Sequence, residues 1–277
     1  MSRLFYLGHD GFLLEDNDFS LVMDYWDLDN KAFQGYWKRS ENIELTKEIR
    51  ETVYNSKYVW VSHEHTDHFD PIYIKKLREG TTLLLPKFVD DFFINELYKL
   101  NLKCQIKVLE PYRWIKLDNS LNVKVILEQP EYTCHASLLI QNNKSLILHN
   151  GDTTITPKFL EYIENPSIDY FLGQYTPPTP YPWTNEDMKD TEKNNIFDSV
   201  LESQLQHFAD SCKSLSVKYA IPCAGPAEVK SDIAKSTSYS RKKLFNKVGL
   251  LGNLTKKLEN TKIINLSVND EIFNFQR

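Results

Sequence analysis

The sequence predicts a mixed α/β (α+β) fold in a single domain covering residues 1–277. Three observations carry that expectation. Short apolar runs of strand length recur along the chain, bounded by Gly, Asn and Asp clusters. They fall into two series in which a run of strands is followed by alternation with helical stretches. With 277 residues, 41% of them apolar and 26% charged, the chain can bury one substantial core.

Taken in order, Leu4 to Leu7, Phe12 to Glu15 and Ser20 to Met23 read as an antiparallel meander separated by polar turns. Residues 25–42 mix aromatics and charges without a period and read as a loop covering a site. Residues 43–55 have weak helical character, and 57–62 is a strand. Pro71 fits a first helical position, leading a helix through Ile72 to Arg78. A strand at Thr82 to Leu85, a helix over 88–99 and a strand over 104–109 complete a β-α-β-α-β passage. Strands at 113–117, 121–127, 136–141 and 144–149 form a second antiparallel run, its last pair joined by Gln141-Asn142-Asn143-Lys144. A helix at 156–164, a strand at 168–172, a Pro-rich loop over 175–183, a long amphipathic helix over 194–214, a strand at Tyr219 to Pro222 and short helices to 259 follow. No internal repeat is visible beyond the shared order of strands and helices.

Charge and cysteine usage narrow the function classes. A net charge of −5 with scattered lysines argues against a nucleic-acid partner. Cys104, Cys134, Cys212 and Cys223 are far apart and form no Cys-x-x-Cys pair, so free thiols are expected. The first ten residues meet Gly and charge too early for a secretory segment, and no apolar run approaches about 18 residues. A cytoplasmic protein without a membrane partner is the expectation.

The chemistry is concentrated in His63-Glu64-His65-Thr66-Asp67-His68, directly after the apolar run Tyr58-Val59-Trp60-Val61. Side chains two apart on a strand end share a side, so His63 and His65 can face one way while Asp67 and His68 turn to the other. That arrangement suits two adjacent cations, or one cation with a positioned water. The alternative is a solvated polar loop. About 85 residues later, Ile147-Leu148-His149 runs into Asn150-Gly151-Asp152, where a carboxylate can bridge two cations or bind one and orient water. Taken alone, that stretch is an ordinary β-turn.

The two motifs together resemble the metallo-β-lactamase superfamily. Gly8-His9-Asp10-Gly11-Phe12 and Asp24-Tyr25-Trp26 sharpen the resemblance toward the branch of ascorbate-phosphate lactonases and N-acyl-ethanolamine-phospholipid hydrolases. The chain is more similar still to the metallo-β-lactamase-like part of CMP-N-acetylneuraminate hydroxylases. Leu7-Gly8-His9-Asp10, Ala32-Phe33-Gln34-Gly35-Tyr36-Trp37, residues 61–70, Pro182-Trp183-Thr184 and Ile221-Pro222-Cys223-Ala224-Gly225 carry that likeness. Those hydroxylases also hold a Rieske iron–sulfur domain, whose Cys/His ligand pairs are missing from these 277 residues.

The resemblance implies a four-layer αββα sandwich with metals at the edge of its two sheets. It assigns His63, His65, Asp67 and His68 to the metal motif and Asp152 to the bridging carboxylate. Two departures stand out. Hydrolytic relatives have a histidine after the Pro of the last core strand, where this chain has Cys223-Ala224. The ligand before Gly-Asp has no clean match: His135, 17 residues before Asp152, is the first choice, with Glu131 and Gln129 nearby, and a packed strand-entry role for His135 is equally open. One or two divalent transition metal ions are expected, zinc, iron or manganese, with the neutral position favouring the last two.

Asp67 is the expected catalytic carboxylate, orienting water or accepting its proton. His9 joins it as a catalytic residue, binding substrate or reaching the metal shell, unless it only satisfies loop carbonyls. Asp24 is expected to orient a metal-bound imidazole. His149 and His207 read as structural residues. Tyr175, Tyr181 and Trp183 either stack on a sugar or base or build a small loop core, and Glu228 is a substitute for the histidine absent at Ala224.

Three functions remain open. The leading one is a hydrolase using metal-activated water on an ester, amide or phosphoester of a small, sugar-derived molecule. The second is an iron oxygenase acting on an amino-sugar or nucleotide-linked substrate, with a separate protein as electron donor. The third is a metal-stabilised binding protein without turnover.

Overall fold

The computed structural model describes residues 2–129, 135–142, 145–164, 167–177, 181–229, 242–244 and 246–273. Its frame is a pair of seven-stranded sheets. The first is built from β1 (Arg3–Gly8), β2 (Gly11–Glu15), β3 (Ser20–Met23), β5 (Tyr58–Trp60), β6 (Thr82–Pro86), β7 (Gln105–Leu109) and β16 (Glu271–Phe273). The second holds β8 (Trp114–Asp118), β9 (Leu121–Leu127), β10 (Ala136–Asn142), β11 (Leu146–His149), β12 (Tyr170–Gln174), β13 (Tyr219–Cys223) and β15 (Lys262–Ile263).

The two sheets repeat one pattern. In the first, β16, β1, β2 and β3 pair antiparallel, and β3, β5, β6 and β7 pair parallel. In the second, β8 to β11 pair antiparallel, and β11, β12, β13 and β15 pair parallel. The shared order of strands and helices in the sequence is thus a shared order in space.

Period-two alternation places the layers. In the second sheet Leu138, Ile140, Ile147, Leu172 and Ile221 join the core shared with the first sheet. Their neighbours Leu139, Leu148, Phe171 and Ala220 join a second core against helices. Those helices are α4 (Pro157–Glu161), α5 (Asp190–Ser214) and α6 (Lys247–Lys257). The outer face of the first sheet is covered by α1 (Lys47–Tyr54), α2 (Pro71–Ile74) and α3 (Phe92–Tyr98), through Ile49, Val53, Tyr73, Ile74, Phe93 and Leu97. Layer by layer the fold is an αββα sandwich. Parallel strands buried on both faces read as continuous apolar runs, and Tyr58 to Val61 is one, each residue under 9% exposed.

Helix starts follow the side chains. Asp70 caps α2 by accepting from the amides of Ile72 and Tyr73, with Pro71 at the first position, but the helix stops at Ile74 rather than Arg78. Thr156 and Pro157 open α4 in the same way. α5 begins four residues earlier than the apolar pattern predicts, with Asp190 and Glu192 in the first turn, where carboxylates favour the helix dipole.

Residues 25–42 are not wholly loop. Phe33–Gly35 is a short 3-10 turn, and β4 (Trp37–Arg39) pairs with β14 (Ala227–Val229) in a separate two-stranded sheet. Neither strand has enough residues for a period, and the pairing joins segments about 190 residues apart. β15 and β16, both short and at sheet edges, were likewise not expected from the sequence. Among the described residues no helix is long and apolar enough to cross a membrane.

Candidate metal centre

The edge where the parallel strands end gathers the chemistry, as open α/β sheets generally do. Asp24 follows β3, the histidine loop follows β5, Asp152 follows β11, Ala224 follows β13, and His9 and Asp10 form the turn between β1 and β2. The segment over 25–42 lies against the histidine loop: the Phe33 amide donates to Thr66 Oγ1 at 2.6 Å, and the Phe33 ring meets the His65 ring at a tilt, 5.8 Å between centroids.

One group of donors comprises His63, His65, His135 and Asp152, whose ligand atoms all lie within 4.8 Å of one another. His63 Nε2 is 2.9 Å from His65 Nδ1 and 3.8 Å from Asp152 Oδ2. The ring of His135 stands 4.6 Å from that of His63. The structure therefore brings His135 into the group; Glu131 and Cys134 lie outside the described residues, and Gln129 is exposed.

A second group joins His9, Asp67 and His68, all buried. His9 Nε2 is 3.2 Å from Asp67 Oδ2, which is 3.8 Å from His68 Nε2. His68 Nε2 is in turn 3.4 Å from Asp152 Oδ1. The two oxygens of Asp152 thus face the two groups, one each. Gly151, at φ 56°, makes that turn, and a Cβ there would sit 3.3 Å from Ser62 Oγ.

Hydrogen bonds behind these groups set which nitrogen faces inward. Asp24 Oδ2 accepts from the Ser62 hydroxyl, and Ser62 Oγ lies 2.9 Å from His63 Nδ1, which leaves His63 Nε2 with a free lone pair. Asp24 also lies 2.9 Å from His68 Nδ1, turning His68 Nε2 inward. Glu128 Oε2 is 3.0 Å from His135 Nδ1 and plays the same part there.

Four carboxylates lie within 4 Å of His68: Asp10 at 3.3 Å, Asp24 at 2.9 Å, Asp67 at 3.8 Å and Asp152 at 3.4 Å. Asp10 and Asp24 are fully buried, and Asp67 is 5% exposed. Burial alone would keep the His68 ring neutral, but Asp152, Asp67 and Asp10 push its pKa well above the ordinary value. Burial raises the Asp67 carboxyl, yet His68 and the His9 hydrogen bond outweigh it and hold it at about 2. The His63 pKa falls well below the ordinary value through burial and the neighbouring His68, His135 and His65. Even with His149, 3.3 Å from Asp10, pushed up by that carboxylate against the effect of its burial, two imidazoles cannot balance four carboxylates, three of them buried, and buried charge is costly unless compensated.

The polar atoms left over point the same way. Asp67 Oδ1, His68 Nε2 and Asp152 Oδ1 are buried without a hydrogen-bond partner. Clustered orphans of this kind need an ion or water to satisfy them. The donor set of imidazoles and carboxylates suits zinc, iron or manganese, so the residues fit the expected metal.

Other residues singled out in the sequence fall elsewhere. His149 is fully buried, its Nε2 3.1 Å from the Asp10 carbonyl, and it groups with Asp10 and Asp24 rather than with the donors around Asp152. His207 lies on α5. Tyr175 and Trp183 belong to the core beneath α5, Trp183 against Phe197, so neither is free to stack on a sugar; Tyr181 is 45% exposed, and Pro178 to Pro180 lie outside the described residues. Glu228 pairs in register with Lys38 on β14 and is in none of the donor groups found among the described residues, so it does not stand in for the histidine absent at 224. Cys223 is no substitute either. Its thiol donates to Asp10 Oδ1 at 3.1 Å, and burial together with the Asp10 charge keeps it protonated.

Sequence reasoning missed Asp10, Ser62 and Glu128 as supporting groups. Asp10 stands in the Gly-His-Asp-Gly stretch already singled out, whereas Glu128 precedes His135 by seven residues at the end of β9, a spacing that carries no signal without the strand pairing.

The model of a family described as a β-lactamase superfamily domain matches residues 3–197. A Mycolicibacterium smegmatis protein named for a Rieske 2Fe-2S iron–sulfur centre is 23% identical over 226 residues, 79% of this chain and 43% of that relative. The chain therefore spans less than half the length of that curated relative. Among solved structures, Igni18, described as a novel metallo hydrolase from Ignicoccus hospitalis KIN4/I, superimposes with a TM-score of 0.60 at 14% identity, over 99% of each chain. CmlA, a diiron β-hydroxylase from Streptomyces venezuelae, gives 0.62 at 13% identity, over 96% of this chain and 53% of that one. At such identities the likeness shows the fold alone.

Proposed function

The chain belongs to the β-lactamase superfamily, and from that premise we propose that it is a metal-dependent hydrolase acting on an ester, amide or phosphoester of a small, sugar-derived substrate. The observation that carries this reading is the convergence of four carboxylates on His68, three of them buried and Asp152 half-buried, beside the three imidazoles of the neighbouring group. His63, His65, His135 and Asp152 would hold one ion, and Asp67, His68 and Asp152 a second. A divalent ion bound there supplies Lewis acidity and brings the pKa of water down toward neutrality.

The chain's own residues do the rest. Asp24 and Glu128 hold the imidazoles with the free lone pair inward, so little reorganisation is needed when a ligand arrives. Asp67, ionised at neutral pH, presents an acceptor oxygen that orients water toward the scissile carbonyl or phosphoryl group. The segment over 25–42, lying on the histidine loop, is placed to bound the substrate and exclude bulk water.

A second reading has its own support. The motif likeness to CMP-N-acetylneuraminate hydroxylases, together with the Rieske-named relative, favours an iron oxygenase on an amino-sugar or nucleotide-linked substrate, drawing electrons from a separate protein. One experiment separates the two. The protein is assayed against a panel of sugar lactones, acetylated amino-sugars and sugar phosphates, in air and under argon. Turnover indifferent to oxygen and abolished by a chelator is the hydrolase result. Product formation only in air, with iron bound and a reductant required, replaces it with the oxygenase.

A further inference from the structure

Without His9, the donors around Asp67 are Asp67, His68 and Asp152, one fewer than the four gathered around His63, and the residue that follows β13 is Ala224, which offers no ligand atom. We infer that His9 takes over that place and closes the second metal position through Nε2. The inference rests on the two-ion reading above and adds a ligand to it.

Backbone geometry puts the two residues side by side. The Ala224 amide donates to the His9 carbonyl at 2.8 Å, so a ring carried by residue 9 reaches the space beside residue 224. Both residues are in the left-handed region, at φ 53°, and Gly8 before them is at φ 100°. Two adjoining non-glycine residues held there mark a conformation maintained by surrounding structure, as strained backbone at functional sites is. The Glu41 carboxylate accepts from the His9 amide at 3.2 Å, and the Tyr6 hydroxyl lies 3.0 Å from the His9 carbonyl, so the turn is fixed on both sides.

The ring is aimed as well as placed. It is 3% exposed, stands edge-on to Trp26 at 5.2 Å, and directs Nε2 at Asp67 Oδ2. Donors sharing one tetrahedral ion at bonds of ~2.1 Å lie roughly 3.4 Å apart. The separations of 3.2 Å from His9 to Asp67, 3.8 Å from Asp67 to His68 and 3.4 Å from His68 to Asp152 match that edge. The contact that serves as an Nε2–H hydrogen bond to Asp67 becomes, once the proton is exchanged for a cation, the spacing of two ligands of one ion.

The test is zinc stoichiometry and affinity, read without any assay of activity. Chelator-stripped protein is titrated with Zn²⁺ against a chromogenic competitor, for wild type, His9→Phe, which keeps a ring against Trp26, and His9→Phe with Ala224→His. Wild type should take two equivalents. His9→Phe should keep the first and bind the second more weakly by more than the roughly 10–100-fold that loss of an outer-shell partner costs. Ala224→His should restore the second equivalent in the His9→Phe background. Two equivalents at unchanged affinity in folded His9→Phe, or a single equivalent in wild type, overturns the inference while leaving metal binding intact. If His9→Phe fails to fold, His9→Gln is titrated in its place under the same criterion. A wild-type protein that binds no zinc removes the two-ion reading and this inference with it.

Discussion

The Asp24 carboxylate lies 2.9 Å from His68 Nδ1 and also takes the Ser62 hydroxyl, so a single buried acid sets the tautomers of two imidazoles. Asp24→Asn keeps the shape, but with its oxygen on His68 and the Ser62 hydroxyl its amide nitrogen faces the Ser62 backbone N–H, a donor against a donor. Zinc affinity is expected to fall about 10–100-fold with the fold retained. Competition with a chromogenic chelator measures it, and an unchanged affinity would show that Asp24 only packs.

Glu128 makes a similar prediction for His135, with an acid limb. Burial raises the Glu128 carboxyl, but hydrogen bonds from His135 and the Thr154 amide prevail and hold it at about 2. A carboxyl depressed in the folded state adds stability that is fully present above its unfolded pKa of roughly 4.3 and is lost as pH falls through the folded value. Urea unfolding of chelator-treated Glu128→Gln should therefore depend less on pH than wild type between about 4.3 and 2. Parallel pH profiles for the two proteins would contradict this.

Gly8 carries a steric prediction. Its φ is 100°, and a Cβ there would lie 1.7 Å from an Arg39 guanidinium nitrogen, itself buried. Gly8→Ala should cost at least about 1–3 kcal/mol and lower the thermal midpoint by several degrees. Calorimetry reads it directly, and a midpoint equal to wild type would mean that the turn carrying His9 is not held as described.

Thiol reactivity tests the core. Cys104, Cys212 and Cys223 are buried free thiols, and burial raises the pKa of each, with the Asp10 charge adding to it at Cys223. A buried, protonated thiol is a poor nucleophile. Native protein treated with iodoacetamide should leave these three unlabelled by peptide mass spectrometry, and urea should expose them. Rapid labelling of Cys212 in the native state would contradict the packing of α5 on the second sheet.

Much of the fold was legible because strand burial follows the sequence period. The runs at Leu4, Phe12, Ser20, Tyr58 and Thr82 are strands because continuous or alternating apolar residues have to be covered on one or both faces. The histidine loop was legible for a different reason: closely spaced imidazoles have few uses except to bind a metal. What the sequence hid is what distance hides. β4 and β14 are three residues each and meet across about 190 residues of chain, so no window contains the pair. Asp10, Ser62 and Glu128 become supports only once strand pairing brings them behind the imidazoles, and Tyr175 and Trp183 stay open between a stacking surface and a loop core until the packing of α5 puts them in the core.

The central claim is that imidazoles and carboxylates at this sheet edge are assembled around transition metal. Elemental analysis of the protein purified without added metal, run beside His63→Ala and Asp152→Asn, tests it most directly. The account predicts one to two equivalents of zinc, iron or manganese in the wild type and a clear loss in both variants. Wild-type protein free of transition metal, unable to take any up and equally stable with and without a chelator, would contradict it.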